Sequence, residues 1–250
     1  MARVQVQACA ERLAQQAALA FQRHAQARSA RKQRFSVALS GGSTPQSMLS
    51  LLATPQFSGT IDWQRVEIFW SDERCVPPGD PASNYGMAER TLLSRVPVPR
   101  GNVHRMRGEL EPQAGADDYC KQLYAVFERA GVQFDLLYLG LGDDGHTASL
   151  FPQSSALRER EAPCVANQAP PDTAPRWRLT LTYPAINASR AVIFLVSGAK
   201  KAAILATVLA GPPDPLVLPA QGVAPASGDL TWLVDADAAS ALPSDRALQL

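Results

Sequence analysis

One stretch near the middle of the chain, residues 134–152, constrains the fold more than any other. It begins as a nearly continuous apolar run, which is typical of a strand buried on both faces of a parallel sheet. Glycines then interrupt the run, and an Asp-Asp-Gly-His sequence at 143–146 follows where a new helix is expected. Because open α/β sheets bind ligands at the carboxyl ends of their strands, this loop predicts a ligand site that contains His146. Taken alone, the loop also fits an ordinary turn in which Asp144 caps a helix and His146 is idle.

Helical and strand patterns alternate along the whole chain. With 250 residues, 46% of them hydrophobic, the chain is long enough to bury a substantial core. No linker, repeat or low-complexity segment divides it, so we expect one domain over residues 1–250. The alternation predicts an α/β fold, a Rossmann-like open and mainly parallel sheet with helices on both faces.

Element boundaries follow from the same patterns. An apolar stripe predicts a helix over residues 4–28, and Pro45 is expected to begin another that runs to residue 52. Residues 153–176 are polar and proline-bearing and are expected to be irregular. The other predictions are strands at 35–39, 66–70, 177–182 and 191–196, a short edge strand at 102–106, helices at 84–95, 116–130 and 184–188, a helix ending at 209, and a final strand and helix within 230–242.

Charge and cysteine usage narrow the classes of function. A net charge of +1 argues against binding to nucleic acids or membrane surfaces, which both need an excess of basic residues. No stretch has a signal-peptide pattern or the roughly 20 apolar residues of a membrane span. The four cysteines are scattered without metal-binding spacing, so free thiols, no metal site and a cytoplasmic location are expected. The basic segment 23–34 is interpreted as a solvated helix end and is assigned no function.

Polar clusters follow three further apolar strands. Residues 40–45, Ser-Gly-Gly-Ser-Thr-Pro, lead into a helix and offer backbone N–H groups and hydroxyls to an anion. A plain capped turn is the alternative there. The acidic and basic residues 72–74 form either a surface ion pair or a set of groups directed into a cleft. The lysines at 200–201 start a helix, where the helix dipole disfavours cations unless an anion lies nearby.

These loops are expected to meet at one edge of the sheet, because the carboxyl ends of parallel strands share that edge. With Arg178 on a further strand, they supply an anion cradle, two or three cations, one histidine and the acceptors Asp72 and Asp144. That inventory suits a phosphorylated, hydroxyl-rich substrate and calls for no metal or other cofactor. His104 and His24 have no acidic or cysteine neighbours and are interpreted as structural.

The same residues resemble those of a known family, the 6-phosphogluconolactonases of the glucosamine-6-phosphate isomerase/6-phosphogluconolactonase superfamily. The resemblance covers about the whole chain in the family's order, and its Asp-Gly-His-Thr block is the most specific part. The matching segments are 40–45, 71–77, 83–87, 140–152, 178–182, 198–202 and 232–235.

The resemblance implies hydrolysis of 6-phospho-D-glucono-1,5-lactone to 6-phospho-D-gluconate in the oxidative pentose phosphate pathway. It also implies a fold shared with the glucosamine-6-phosphate deaminases, sugar isomerases that carry a glutamate five residues after the histidine. This chain has Phe151 at that position, which favours the lactonase. The alternatives are an isomerase or deaminase-like enzyme and a non-catalytic sugar-phosphate sensor. A monomer or weak oligomer is expected, with the sugar phosphate lactone as its small-molecule partner.

The resemblance also implies roles for the candidate residues. His146 is expected to act as general base for water attack on C1, with Asp144 as its carboxylate partner and Asp143 as a second candidate. Arg74 is expected to stabilise either the oxyanion or the phosphate, and Asp72 to bind sugar hydroxyls. The expected ligands of the 6-phosphate are Gly41, Gly42, Ser43, Thr44, Arg178 and Lys201, with Lys200 as the alternative to Lys201.

Overall fold

The structure of the chain, a computed structural model, describes residues 2–127, 131–226 and 228–243. Within these residues, nine strands form a six-stranded sheet and a three-stranded sheet. The strands are β1 (Arg3–Gln7), β2 (Phe35–Leu39), β3 (Val66–Trp70), β4 (Asp72–Arg74), β5 (Leu136–Leu139), β6 (Cys164–Gln168), β7 (Trp177–Leu181), β8 (Ala191–Val196) and β9 (Asp229–Asp235). The α-helices are α1 (Ala10–Ala30), α2 (Ser43–Leu52), α3 (Pro55–Ser58), α4 (Asn84–Ala88), α5 (Pro112–Phe127), α6 (Tyr183–Asn187), α7 (Ala202–Ala210) and α8 (Ala236–Ala239).

The larger sheet has the strand order β1-β9-β8-β5-β2-β3, and each neighbouring pair in it is parallel. Successive residues of a strand point to opposite sides of a sheet. In the larger sheet the residues on both sides are apolar, so each face contributes to a core cluster. In β2, Val37 and Leu39 join one core cluster while Ala38 joins the other. Helices α1 to α4 pack on the first face and α5 to α8 on the second. The predicted α/β fold, a mainly parallel sheet between two helical layers, is confirmed.

The smaller sheet is antiparallel and is not predicted by the sequence patterns. Its order is β4-β7-β6, and its apolar residues share the second core cluster with α5. Because β3 ends at Trp70 and β4 begins at Asp72, the chain passes almost directly from one sheet into the other. The strand predicted at 177–182 is therefore β7 of this smaller sheet. The segment 153–176, expected to be irregular, contains β6.

The predicted helix over residues 4–28 is wrong at its start. Residues 3–7 form β1, which pairs in parallel with β9, and α1 begins only at Ala10. Val6 fits the helical stripe that continues through Cys9 and Leu13, but it also alternates with Val4 as in a strand, so local periodicity does not decide between the two. Pairing with β9 selects the strand.

Two further boundaries differ from the expected ones near the sheet. Helix α2 begins at Ser43 rather than at Pro45, so the loop before it is shorter than the sequence suggests. No strand occupies residues 102–106, where Val103 makes only an isolated parallel bridge to Ile68. A single bridge leaves this segment as a connection rather than a seventh strand of the larger sheet.

Helices α4 and α5 also begin or end away from their expected positions. Ser83 caps α4 by accepting the Gly86 N–H at 2.9 Å, and a π-helical turn, Glu89–Leu93, follows α4. Helix α5 starts at Pro112, and residues 128–130 of the predicted helix lie outside the described residues. No helix in the described part of the chain combines the length and the apolar character that crossing a membrane requires.

Candidate active site

A cleft of about 440 Å³ opens at the carboxyl edge of the larger sheet. Its walls come from the loops after β2, β5 and β8, and from β4 and β7 of the smaller sheet. Ser43 and Thr44 do not line it and form the first turn of α2, next to Gly42, so their role as phosphate ligands stays a prediction. The cleft brings together the other predicted site residues, Gly41, Gly42, Asp72, Arg74, Asp144, His146, Arg178 and Lys201.

His146 and Asp144 form a hydrogen-bonded pair in this cleft. The Nδ1 atom of His146 lies 2.6 Å from Oδ1 of Asp144, and the same oxygen accepts the His146 backbone N–H at 3.0 Å. A carboxylate at this position favours the tautomer with hydrogen on Nδ1 and leaves Nε2 able to accept a proton. Burial raises the pKa of Asp144, but the hydrogen bonds and charge of His146 together outweigh burial and lower it. The other candidate carboxylate, Asp143, contacts Lys201 instead.

Local backbone contacts hold the loop that carries His146. The Gly142 N–H donates to the His146 carbonyl at 2.8 Å, and the Thr147 hydroxyl donates to the Gly140 carbonyl at 2.9 Å. A Cβ atom on Gly142 would overlap the imidazole, so the close approach of backbone and ring requires glycine there. The Phe151 ring packs against the imidazole with 4.8 Å between the ring centroids. Backbone on one side and Phe151 on another restrict the orientation of the imidazole.

Asp72 is buried in the cleft wall and is held by two neighbouring side chains. The Ser149 hydroxyl donates to Oδ2 of Asp72 at 2.7 Å. The Asn84 amide donates to Oδ1 at 3.3 Å and to the Asp72 carbonyl at 2.9 Å. Since a carboxylate has about four acceptor positions, acceptor capacity is left for the hydroxyls of a ligand.

Two arginines face each other across the smaller sheet. Arg74 of β4 and Arg178 of β7 are register partners, and both line the cleft. Arg178 is only 6% exposed, yet its buried Nη1 atom has no hydrogen-bond partner within residues 2–127, 131–226 and 228–243. Burial and the charge of Arg74 lower the pKa of Arg178, against an opposing effect of Asp72. A desolvated guanidinium that lacks its own anion favours an anionic ligand.

Backbone N–H groups add to the anion-binding character of the cleft. Gly41 and Gly42 lead into α2, and neither N–H donates a hydrogen bond to another described residue. A helix N-terminus presents further unpaired N–H groups and the positive end of the helix dipole. Lys201 lines the cleft and contacts Asp143 at 2.5 Å, whereas Lys200 is exposed and does not line it. The geometry therefore favours Lys201 over Lys200.

Three residues near the cleft receive no role of their own from the sequence, although Glu73 stands within the cluster 72–74. Asn84 and Ser149 line the cleft and bind Asp72. Glu73 is buried behind it and accepts four hydrogen bonds. All three lie within the segments 71–77, 83–87 and 140–152 that resemble the family, which is the one signal that singles them out. Their side-chain types alone are common in turns.

The other two histidines lie outside the cleft, in agreement with their interpretation as structural. Nε2 of His104 lies 2.7 Å from Oε2 of Glu67, and the His104 ring stacks on Phe69 with 4.5 Å between centroids. His24 is half-buried on α1. No group of three or more His, Cys, Asp or Glu residues in the described part of the chain is arranged to hold a metal ion. Independence of metals and cofactors stays a prediction.

Known proteins resemble this chain in sequence and in structure. The sequence pattern of the family described as glucosamine-6-phosphate isomerases/6-phosphogluconolactonase matches residues 8–232. The chain is 40% identical over 213 residues to the 6-phosphogluconolactonase of a Nostoc species, a match that covers 84% of this chain and 85% of the relative. It is 40% identical over 232 residues to the 6-phosphogluconolactonase of Homo sapiens, covering 90% and 88%. The solved structure of 6-phosphogluconolactonase from Trypanosoma brucei aligns with a TM-score of 0.86 at 27% identity, over 97% of this chain and 99% of that chain.

Proposed function

Because the chain belongs to the glucosamine-6-phosphate isomerase/6-phosphogluconolactonase family, we infer that it hydrolyses 6-phospho-D-glucono-1,5-lactone to 6-phospho-D-gluconate. This reaction is the lactonase step of the pentose phosphate pathway. One observation of the site carries the proposal: the buried, unpaired guanidinium of Arg178 shares a cleft with the His146–Asp144 pair. A phosphate supplies the anion that Arg178 lacks, and the imidazole supplies the base that an activated ester needs. Phe151, which packs on His146, carries no carboxyl group for sugar ring opening, and this favours the lactonase.

The cations and N–H groups of the cleft support binding of the 6-phosphate. Arg178 contributes a buried charge, and Lys201 contributes a second one from the start of α7. The free N–H groups of Gly41 and Gly42 add uncharged donors. Ser43 and Thr44, in the first turn of α2, are proposed to complete the set with their hydroxyls or N–H groups.

His146 is the proposed general base. A water molecule attacks the lactone carbonyl carbon C1, Nε2 of His146 takes the proton of that water, and the carbonyl electrons move to the oxygen. The tetrahedral oxyanion then collapses and the bond between C1 and the ring oxygen breaks. The imidazolium gives its proton to that leaving oxygen, so the base is regenerated and one water has been added. An imidazole is suited to both transfers because it titrates near neutral pH.

The remaining cleft residues stabilise charge and orient the sugar. Asp144 holds the imidazole by the 2.6 Å contact and stabilises the imidazolium when it forms. Arg74 places a rigid, delocalised cation in the cleft, where it stabilises the oxyanion or the phosphate. Asp72, already bound to Ser149 and Asn84, is proposed to accept hydrogen bonds from the sugar hydroxyls.

We also propose the setting in which the enzyme works. The chain is proposed to be one domain over residues 1–250 that acts in the cytoplasm as a monomer or weak oligomer and binds no nucleic acid. The net charge of +1 and the four cysteines without disulfide bonds support this setting.

The first test is hydrolysis of freshly generated 6-phosphogluconolactone, followed by base uptake against the spontaneous background. The wild-type protein is expected to accelerate hydrolysis, and His146→Ala is expected to lose about 10²–10⁴-fold of the turnover number. His24→Ala is the matched control, because that histidine lies on α1, outside the cleft. Near-full turnover by His146→Ala with intact binding of 6-phosphogluconate would refute the assignment of the base. A folded wild-type protein that binds the sugar phosphate without accelerating hydrolysis would favour the sensor.

A further inference from the structure

Glu73 is a buried carboxylate beside the cleft that no step of the proposed reaction uses. Its side chain does not line the cleft, although the flanking residues Asp72 and Arg74 both do. Glu73 is 2% exposed, and no cation in the described part of the chain lies within ion-pair distance of it. Burial of an unpaired carboxylate is costly unless its oxygens are fully hydrogen-bonded.

Four donors surround the two oxygens of Glu73. Oε1 accepts the N–H groups of Arg74 at 2.7 Å and Asn84 at 2.8 Å. Oε2 accepts the Tyr85 N–H at 2.8 Å and the Ser83 hydroxyl at 3.0 Å. Burial raises the pKa of Glu73, and the hydrogen bonds from these neighbours oppose that effect. With a donor pair on each oxygen, both oxygens act as acceptors, which is the arrangement of an ionised carboxylate.

Glu73 binds residues 83–85, and residues 82–84 in turn contact Asp72 and Arg74, the two cleft residues on either side of Glu73. Arg74 donates from Nη1 to the Ala82 carbonyl at 2.5 Å, next to the Ser83 that Glu73 binds. The Asn84 amide, whose backbone N–H is bound to Glu73, donates to the carbonyl and to Oδ1 of Asp72. Asn84 also lies so close to Gly41 that a Cβ there would overlap its amide. Glu73 therefore holds the segment that contacts Arg74, Asp72 and Gly41.

We propose that Glu73 is a positioning residue for the proposed lactonase reaction, acting through residues 82–85 to set Asp72 and Arg74 in the cleft. The inference rests on the proposed function and adds a residue to its machinery. It differs from a merely structural role because the two groups that it sets are among those proposed to touch the substrate. Loss of Glu73 should therefore lower catalysis in protein that is still folded.

Glu73→Gln is the sharpest perturbation because it keeps the size of the side chain. Its single oxygen can serve one donor pair, while its NH₂ group faces the other pair with no acceptor. We expect kcat/KM for 6-phosphogluconolactone to fall about 10–100-fold, since misplacement of catalytic groups by about 1 Å costs on the order of 10²-fold. The affinity for 6-phosphogluconate, measured by calorimetry, is expected to fall more than tenfold, because Asp72 and Arg74 bind the ligand.

Asp135→Asn is the matched control. Asp135 is also a buried carboxylate, 4% exposed, and it accepts the N–H and hydroxyl of Ser36 and pairs with Arg28 and Arg190. It stands just before β5, at the opposite edge of the sheet from the cleft. Its loss should lower stability while leaving kcat/KM of the folded fraction within about twofold of wild type, as for substitutions away from the site. Equal losses of kcat/KM in both variants would overturn the positioning role.

A double-mutant cycle separates positioning from general destabilisation. If Glu73 acts through Asn84, then Glu73→Gln should cost much less in an Asn84→Ala background than in wild type. If the double variant loses the product of the two single-variant losses in kcat/KM, the two residues act independently and the proposal is overturned. Wild-type kcat/KM in folded Glu73→Gln would overturn it as well. Should Glu73→Gln fail to fold, Ser83→Ala removes one donor, and unchanged kcat/KM and affinity in that variant would equally refute the idea. If the wild-type protein does not hydrolyse the lactone, only the proposed function fails. The affinities of wild type and Glu73→Gln for 6-phosphogluconate then still decide whether Glu73 positions Asp72 and Arg74.

Discussion

Replacement of Arg178 by methionine should make the folded protein more stable and a worse ligand binder at the same time. Arg178 is 6% exposed, its Nη1 atom is buried without a partner in the described residues, and the like charge of Arg74 stands opposite it. Burial and Arg74 lower the pKa of Arg178, which means that folding disfavours its charge. Methionine has a similar length, is flexible and has no charge to desolvate. The unliganded protein should therefore gain from the substitution.

The size of both effects follows from the environment of the guanidinium. An unsatisfied buried polar group costs about 1–3 kcal/mol, so the free energy of unfolding of Arg178→Met should rise by about that amount. The attraction between Arg178 and Asp72 is lost in the variant and opposes this gain, so we expect an increase in the free energy of unfolding near the lower end of that range. For a chain of this length, each kcal/mol moves the melting temperature by about 2–4 °C. A charged hydrogen bond to the phosphate contributes about 1.5–3 kcal/mol, so affinity for 6-phosphogluconate should fall about 10–150-fold.

Thermal unfolding with and without 6-phosphogluconate measures both effects in one assay. A ligand present at 100 times its dissociation constant stabilises a protein by about 2.7 kcal/mol, and Arg178→Met should lose about half to nine-tenths of this stabilisation at the same ligand concentration. Arg176→Met is the control, because Arg176 is exposed two residues earlier and should leave both melting temperatures nearly unchanged. An Arg178→Met protein that is less stable than wild type and keeps the full ligand-induced shift would refute the reasoning.

Two further substitutions test the assignments at Lys201 and Asp144. Lys201→Met should raise KM for the lactone at least about tenfold, because a charged contact to the ligand is lost. Lys200→Met should leave KM within about twofold of the wild-type value. Equal effects of the two substitutions in steady-state assays would contradict the choice of Lys201. The hydrogen bonds and charge of His146 outweigh burial and lower the pKa of Asp144, so its charge stabilises the folded state above the ordinary pKa of an aspartate, and this stabilisation is lost as the pH falls through the lowered value. Asp144→Asn removes the negative charge that stabilises the imidazolium, so kcat/KM for the lactone should fall in steady-state assays; wild-type kcat/KM in the folded variant would argue against the pairing.

The strands of the larger sheet other than β1, and most of the cleft, were accessible from sequence. Long apolar runs such as 134–141 and 191–196 are unambiguous because both faces of those strands are buried. Their polar ends meet for a topological reason, since parallel strands bring their carboxyl ends to one edge. The family resemblance then supplied roles that spacing alone does not assign, such as His146 as base.

The errors arose where local pattern and tertiary pairing disagree. Val6 is compatible with the predicted helical stripe or with a strand that also contains Val4, and only the partner β9 decides between them. The smaller sheet joins β4, of three residues, to strands more than 80 residues later in the chain, and no local signal marks such a pairing. Consequently the sequence placed Arg178 near the site without indicating that Arg74 is its register partner.

Pairing of β4 with β7 also explains why the cleft is poised for an anion before any ligand binds. The pairing sets Arg74 against Arg178, and like charges directly opposite each other destabilise a sheet. Asp72, the nearby carboxylate, already accepts hydrogen bonds from Ser149 and Asn84, so its capacity to neutralise two guanidinium groups is limited. Asp143 contacts Lys201 rather than adding a free negative charge to the cleft. A phosphate dianion that enters next to Arg178 therefore relieves a repulsion that is present in the unliganded fold, and part of its binding free energy comes from that relief.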